Sequence, residues 1–132
     1  LPKWIERRRE IAERYDDMFA TGPMLEPLAV SPEVLHVYHL YVVRLNLRRW
    51  KVDRATVFGA LRREGIGVNV HYIPVHLHPY YRSRFGCKEG QCPIAEESYE
   101  RIISLPIFQG MSDQQLGDVI KGIDKVQKMY VR

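Results

Sequence analysis

The run VLHVYHLYVVRLNL, residues 34–47, constrains the fold more than any other stretch of the chain. It is dense in β-branched and aromatic residues and holds neither Gly nor Pro, a composition that suits a pleated surface better than a helix. Its nearly continuous apolar character predicts a central strand covered on both faces. Such a strand cannot stand alone, so the flanking segments must supply both neighbouring strands and a covering layer.

The covering layer is readable on both sides. Residues 1–21 place Trp4, Ile5, Ile11, Ala12, Tyr15, Met18 and Phe19 at three-to-four spacing, an apolar stripe on a helix otherwise covered by Arg and Glu. Pro2 suits a first helical position and Gly22-Pro23 marks the stop. Residues 24–34 include Pro27 and Pro32, which allows an extended connection with at most a short edge strand.

Downstream of the strand, Asp53 is a natural N-cap for a second helix, with Val52 and Val57 at the positions of a hydrophobic staple. Val57, Ala60 and Leu61 form its inward stripe and Gly65 stops it. IGVNVHYI, 66–73, alternates as a second strand. Ile66, Val68, Val70 and Tyr72 point one way, and Gly67, Asn69, His71 and Ile73 the other. Pro74 limits it. Residues 74–91 read as irregular, and Pro93 opens a helix over about 93–103 with Glu96 and Glu97 near its positive end. SLPIF is a short strand. The last helix opens with the Ser112/Gln115 capping box and turns Leu116, Val119, Ile120, Ile123 and Val126 to one side. The economical packing is α+β: a small, mostly antiparallel sheet with helices on one face.

Length and charge exclude several function classes. At 132 residues the chain is one domain with a modest core. The net charge of +4 and pI near 9.2 invite a nucleic-acid reading, but the basic residues of ERRREIAER and DRATVFGALRRE sit beside acids, as on solvated helix faces. No nucleic-acid motif is present; an anionic small molecule remains compatible with the excess. No apolar run approaches the roughly 18 residues of a membrane span. The charged, amphipathic start is not a secretory signal, and the missing initiator Met points to a segment before Leu1. Two cysteines, Cys87 and Cys92, do not make a disulfide framework, so reduced thiols in a cytoplasm are expected.

Chemistry concentrates in VNVHYIPVHLHPYYRSRFGC, 68–87, which carries three of the five histidines. His71, His76, His78, Cys87 and Cys92 are zinc-competent types, and His71-x4-His76 and Cys87-x4-Cys92 come near structural spacing. However, His71 sits on a strand while His76 follows a proline, so convergence is not assured. Neither cysteine lies in a catalytic signature, and no G-x-S-x-G is present. Gly65 and Gly67 flank a helix-to-strand turn, the wrong order for a dinucleotide loop. The alternation does put Asn69 and His71 on one face, running into a loop with His76, His78, Tyr80, Tyr81 and Arg82. These residues suit a polar, anion-tolerant, ligand-facing loop.

GIGVNVHYIPVHLHPYYR followed by CPIAEESYERIISLPIFQGMSDQQLGDVIKGI resembles the C-terminal part of the DegT-type pyridoxal-phosphate-dependent nucleotide-sugar aminotransferases. The H-Y-x-P-x-H element, the P-x-A-E, the S-L-P strand and the Ser-opened final helix agree in spacing, and HVYHLYVVRL and DRATVFGALRREGI agree in order. The likeness covers residues 1–130. The HYIPVHLHPYYR variant looks nearest to enzymes aminating the 4-keto group of a UDP-linked 6-deoxy sugar, as in pseudaminic-acid-type pathways.

The resemblance implies the fold type I, aspartate-aminotransferase architecture, with 1–132 as the small C-terminal domain, including the linking helix 1–21, and the large cofactor-binding domain outside it. None of the six lysines, Lys3, Lys51, Lys88, Lys121, Lys125 and Lys128, has the context of the family's aldimine lysine. The expectation is therefore no covalent pyridoxal 5'-phosphate, no catalytic residue and no transamination by this chain alone. In the complete, homodimeric, cytoplasmic enzyme an amino donor, glutamate, and a nucleotide-linked ketosugar would be the partners. The likeness assigns His71 and Tyr72 to the substrate, then His76, with Asn69 sharing the His71 face and Tyr81 and Arg82 near the sugar or diphosphate. His39 is assigned a structural role. The competing readings are a stand-alone nucleotide-sugar or anion-binding module and a zinc-stabilised interaction domain.

Overall fold

The N-terminal apolar stripe forms α1, Pro2–Ala20. In the computed structural model, residues 1–20, 22 and 24–132 are described. Thr21 and Pro23, and with them the end of the 1–21 helix and half of the Gly22-Pro23 stop, lie outside the described residues. Ile11, Ala12, Tyr15 and Phe19 of α1 are buried, while Trp4 at its start stays 57% exposed, so the C-terminal two-thirds of the stripe does the docking.

What α1 docks on is a three-stranded antiparallel sheet in the order β1 (Leu25–Pro27), β2 (Tyr41–Leu45), β3 (Ile102–Leu105). The expected α+β architecture holds, with β2 central and β1 a short edge. Two expectations for the 34–47 run do not. Only 41–45 is strand, because Arg8 of α1 donates to the carbonyls of Tyr38 (2.8 Å) and His39 (3.1 Å). The Tyr38 backbone is also left-handed, φ 45°, which no ladder accommodates. His39 is therefore an exposed residue of the connection rather than of the strand. In addition, β2 is covered on one face only: Tyr41, Val43 and Leu45 are buried under the helices, whereas Arg44 on the other face is exposed. Each fully buried aliphatic side chain on the covered face contributes about 1.5–3 kcal/mol.

Two further helices fill that layer. Helix α2, Arg54–Arg63, starts where Asp53 accepts the Thr56 N–H at 2.8 Å and stops at Gly65, whose φ of 78° only glycine adopts without strain. At the chain's end, the Ser112/Gln115 capping box opens a long helix, Asp113–Tyr130, with Leu116, Ile123 and Val126 buried. Gly122 on that helix lets Ile66 approach closely: a Cβ there would lie 2.8 Å from the Ile66 Cδ1. Buried Trp50 ties the start of β1 to the C-terminal end of the chain. Its Nε1 donates to the Met24 carbonyl at 2.8 Å and its backbone bridges Val131.

The 66–73 strand is replaced by a single bridge, Asn69 with Ser104. The ladder's next step would pair Gly67 with Pro106, which has no N–H to give and whose carbonyl already accepts the Tyr15 hydroxyl at 2.9 Å. Ile66 and Val68 are buried, but Tyr72 is 72% exposed, so the predicted alternation ends before it. The stretch 74–91 is more regular than expected. A 3-10 turn, Val75–Leu77, leads into α3, Pro79–Phe85, which Gly86 ends at φ 66°. Helix α4 is Pro93–Tyr99, shorter than 93–103, because Ile102 already enters β3. The Asp113–Tyr130 helix is α5.

Candidate functional site

The helix-free face of the sheet is where the chemistry-bearing residues gather. Antiparallel partners share a face, so Val42, Ser104 and Asn69, aligned through the Val42–Ser104 pairing and the Asn69–Ser104 bridge, point away from the helices. Ile103 and Leu105, on the other face of β3, are buried in the core. Ser104 is nonetheless only 4% exposed, because His71, two residues beyond Asn69, lies over it with Nδ1 2.8 Å from Oγ. Two backbone bonds hold the arrangement, Ser104 N–H to the Asn69 carbonyl (2.8 Å) and Asn69 N–H to the Ser104 carbonyl (3.1 Å). The Asn69 amide lies 3.4 Å from His71 Nε2, and the Tyr72 ring stands edge-on to the imidazole at 4.6 Å; the His71–Tyr72 peptide is cis.

The other expected site residues form separate groups. His76 Nε2 lies 2.7 Å from the Glu96 carboxylate, with both side chains largely covered. An ionised carboxylate only accepts, so Nε2 is the donor. Glu96 also accepts the backbone N–H groups of Gly90 (2.8 Å) and Cys92 (3.1 Å). Those N–H donors, Gly90 foremost, then His76, hold its carboxyl below the usual range. Tyr81 and Arg82 lie on α3, exposed, where Tyr80, Tyr81 and Phe85 form an aromatic cluster with centroids 5.4–6.2 Å apart. Asn69, His71 and Tyr72 are thus together, while His76 is drawn to Glu96 and Tyr81 and Arg82 stand on a third element.

Two partners were not anticipated from the sequence, Ser104 and Glu96. A serine between Ile103 and Leu105 on a core strand was the available signal for the first: alternation puts its hydroxyl on the opposite face, where something must satisfy it.

Metal and cofactor chemistry can be tested on the residues present. Among the described residues no three of His, Cys, Asp or Glu come together in a metal-holding group, and Cys87 and Cys92 are free thiols. All six lysines are exposed, with Lys125 paired to Glu64 and Lys128 to Asp124. A Schiff-base lysine is activated by desolvation or a neighbouring cation; none of these fits. A concavity of about 870 Å³ lies between the end of α1 and residues 27–42. Its polar floor is already satisfied, since Tyr41 donates its hydroxyl to Asp16 and burial pushes the Tyr41 phenol well up.

Comparison with known proteins gives this geometry a context. The model of the DegT/DnrJ/EryC1/StrS aminotransferase family matches residues 1–124. The chain belongs to this family. The spore coat polysaccharide biosynthesis protein SpsC of Bacillus subtilis is 41% identical over 124 residues, 93% of this chain and 32% of that protein. Among solved structures, the putative sugar aminotransferase Spr1654 of Streptococcus pneumoniae superposes with a TM-score of 0.85 at 31% identity, over 97% of this chain and 32% of that one. Spr1654 has been solved in PLP and PMP forms as well as apo. Helicobacter pylori PseC, an aminotransferase involved in pseudaminic acid biosynthesis, gives the same TM-score at 23% identity over 97% of this chain and 34% of that one, a likeness of fold. The fold type I sugar-aminotransferase architecture is thereby established for this family member, which spans about a third of the length of the relatives it matches.

Proposed function

We propose that this chain is the small-domain wall of the substrate cleft in a PLP-dependent sugar aminotransferase that passes an amino group from glutamate to a nucleotide-linked ketosugar. The Schiff-base lysine, the pyridinium-binding Asp and most of the phosphate cup belong to a large domain outside these 132 residues, and the working enzyme is a cytoplasmic homodimer. The cofactor's electron-sink chemistry is supplied there, not here. The observation that carries the reading is the helix-free sheet face. On it a half-covered His71 is anchored at one ring nitrogen, flanked by Asn69 and by an exposed Tyr72. Such a wall binds and orients a polar substrate and excludes water from the opposite half of the cleft.

The HYIPVHLHPYYR element supports the finer choice of a UDP-linked 4-keto-6-deoxy sugar. Tyr81 and Arg82 on α3 lie further along the chain, towards the diphosphate. His76, committed to Glu96, shapes the loop on which they stand.

The test uses the chain alone. Incubation with pyridoxal 5'-phosphate followed by desalting leaves no visible absorbance, and calorimetry with a UDP-sugar gives a Kd weaker than about 1 mM, about −4 kcal/mol. Micromolar binding, or absorbance that borohydride fixes to a lysine, would overturn the assignment in favour of a self-sufficient module.

A further inference from the structure

The hydrogen bonds around His71 determine which of its nitrogens carries the proton. Val70 N–H donates to Asn69 Oδ1 at 2.8 Å, so the oxygen of that amide faces Val70 and its nitrogen faces the imidazole. The amide nitrogen has only hydrogens to offer. His71 Nε2, 3.4 Å away, must therefore present a lone pair. In the neutral ring the proton then sits on Nδ1 and is donated to Ser104 Oγ at 2.8 Å. The acceptor is well fixed, because Ser104 is almost fully buried, its backbone N–H and C=O are both bonded to Asn69, and β3 is paired with β2 on the other side.

We propose that Ser104 is a positioning residue: it holds neutral His71 as the Nδ1–H tautomer and turns an unprotonated Nε2 towards the open face of the sheet. His71 then meets its ligand as an acceptor, of a hydroxyl or ammonium hydrogen, and not as a donor. Asn69 acts with it, and its amide is the group that an incoming donor displaces from Nε2. The hydroxyl of Ser104 works at one remove and touches no ligand. The proposal rests on the reading of His71 as a substrate-wall residue, but the tautomer it assigns exists without a substrate.

Histidine-selective 15N labelling of the chain, read by long-range 1H–15N correlation at a pH where the ring is neutral, distinguishes the two tautomers directly. The expected spectrum of His71 is that of the Nδ1–H form. Ser104→Ala shifts the population towards the Nε2–H form, and Ser104→Thr, which keeps the hydroxyl, restores it. An Nε2–H spectrum in the unaltered chain overturns the proposal, even if the alanine variant fails to fold. So does an alanine variant with the tautomer unchanged. In the full-length aminotransferase carrying this chain, Ser104→Ala lowers kcat at least about tenfold, about 1.4 kcal/mol, and Ser104→Thr recovers it. If the tautomer is as assigned but kcat and KM do not respond, the placement of His71 in the substrate wall is what fails.

Discussion

Glu96 shows how one side chain can organise a site without taking part in it. Its carboxylate gathers the N–H groups of Gly90 and Cys92 and the imidazole of His76, fastening the 3-10 turn to the start of α4. Because the folded carboxyl sits below the ordinary value of 4.5, ionised Glu96 favours the folded form at every pH above that value. The contribution fades as pH falls through the ordinary range to the folded pKa. Amide exchange at Gly90 and Cys92 should therefore accelerate on acidification below about pH 4.5, relative to the core amides. In Glu96→Gln the exchange should be faster throughout and lose this acid dependence. The sequence placed Glu96 only as an acid at a helix's positive end. Its three donors come from the α3–α4 connection, up to six positions upstream, and from a histidine 20 positions upstream, and no local pattern encodes that meeting.

Helix boundaries were far more legible, because capping is decided within four residues. Asp53, Gly65, Ser112 and Gln115 all act where the sequence puts them. At Gly65, φ 78° makes the consequence measurable: Gly65→Ala should cost about 1–2 kcal/mol, seen as a lowered urea midpoint with an unchanged slope. Strand limits were poorly legible for the opposite reason. The 34–47 run has strand composition throughout, yet its first half is bent by Arg8, 30 residues upstream of Tyr38, and the ladder that 66–73 could form is limited on the Gly67 side by Pro106, just past β3. Helix α3 was missed because it buries no face. Its signals were Pro79 and Gly86 at the two ends, the asymmetry expected of a short helix.

The whole molecule divides its labour between the two faces of one small sheet: helices and core on one side, Asn69, His71 and Ser104 on the other. That division was half visible beforehand. Periodicity put Asn69 and His71 together, but only the register of β3, 33 residues from His71 in the chain, sets Ser104 beneath the imidazole. The Asn69–Ser104 bridge has a consequence of a different kind. It occupies the outer edge of β3, which would otherwise offer free N–H and C=O groups to any passing strand. The edge on the far side, β1, is only three residues long and ends in proline, so it offers little to build on. Asn69→Pro removes one donor of the bridge, and light scattering should then reveal aggregation at concentrations where His71→Ala, which leaves the bridge intact, stays monodisperse. The segment proposed as the substrate wall is also the guard of an adhesive border. A lineage that abandoned the chemistry would still have to keep that strip of backbone in place in order to remain in solution.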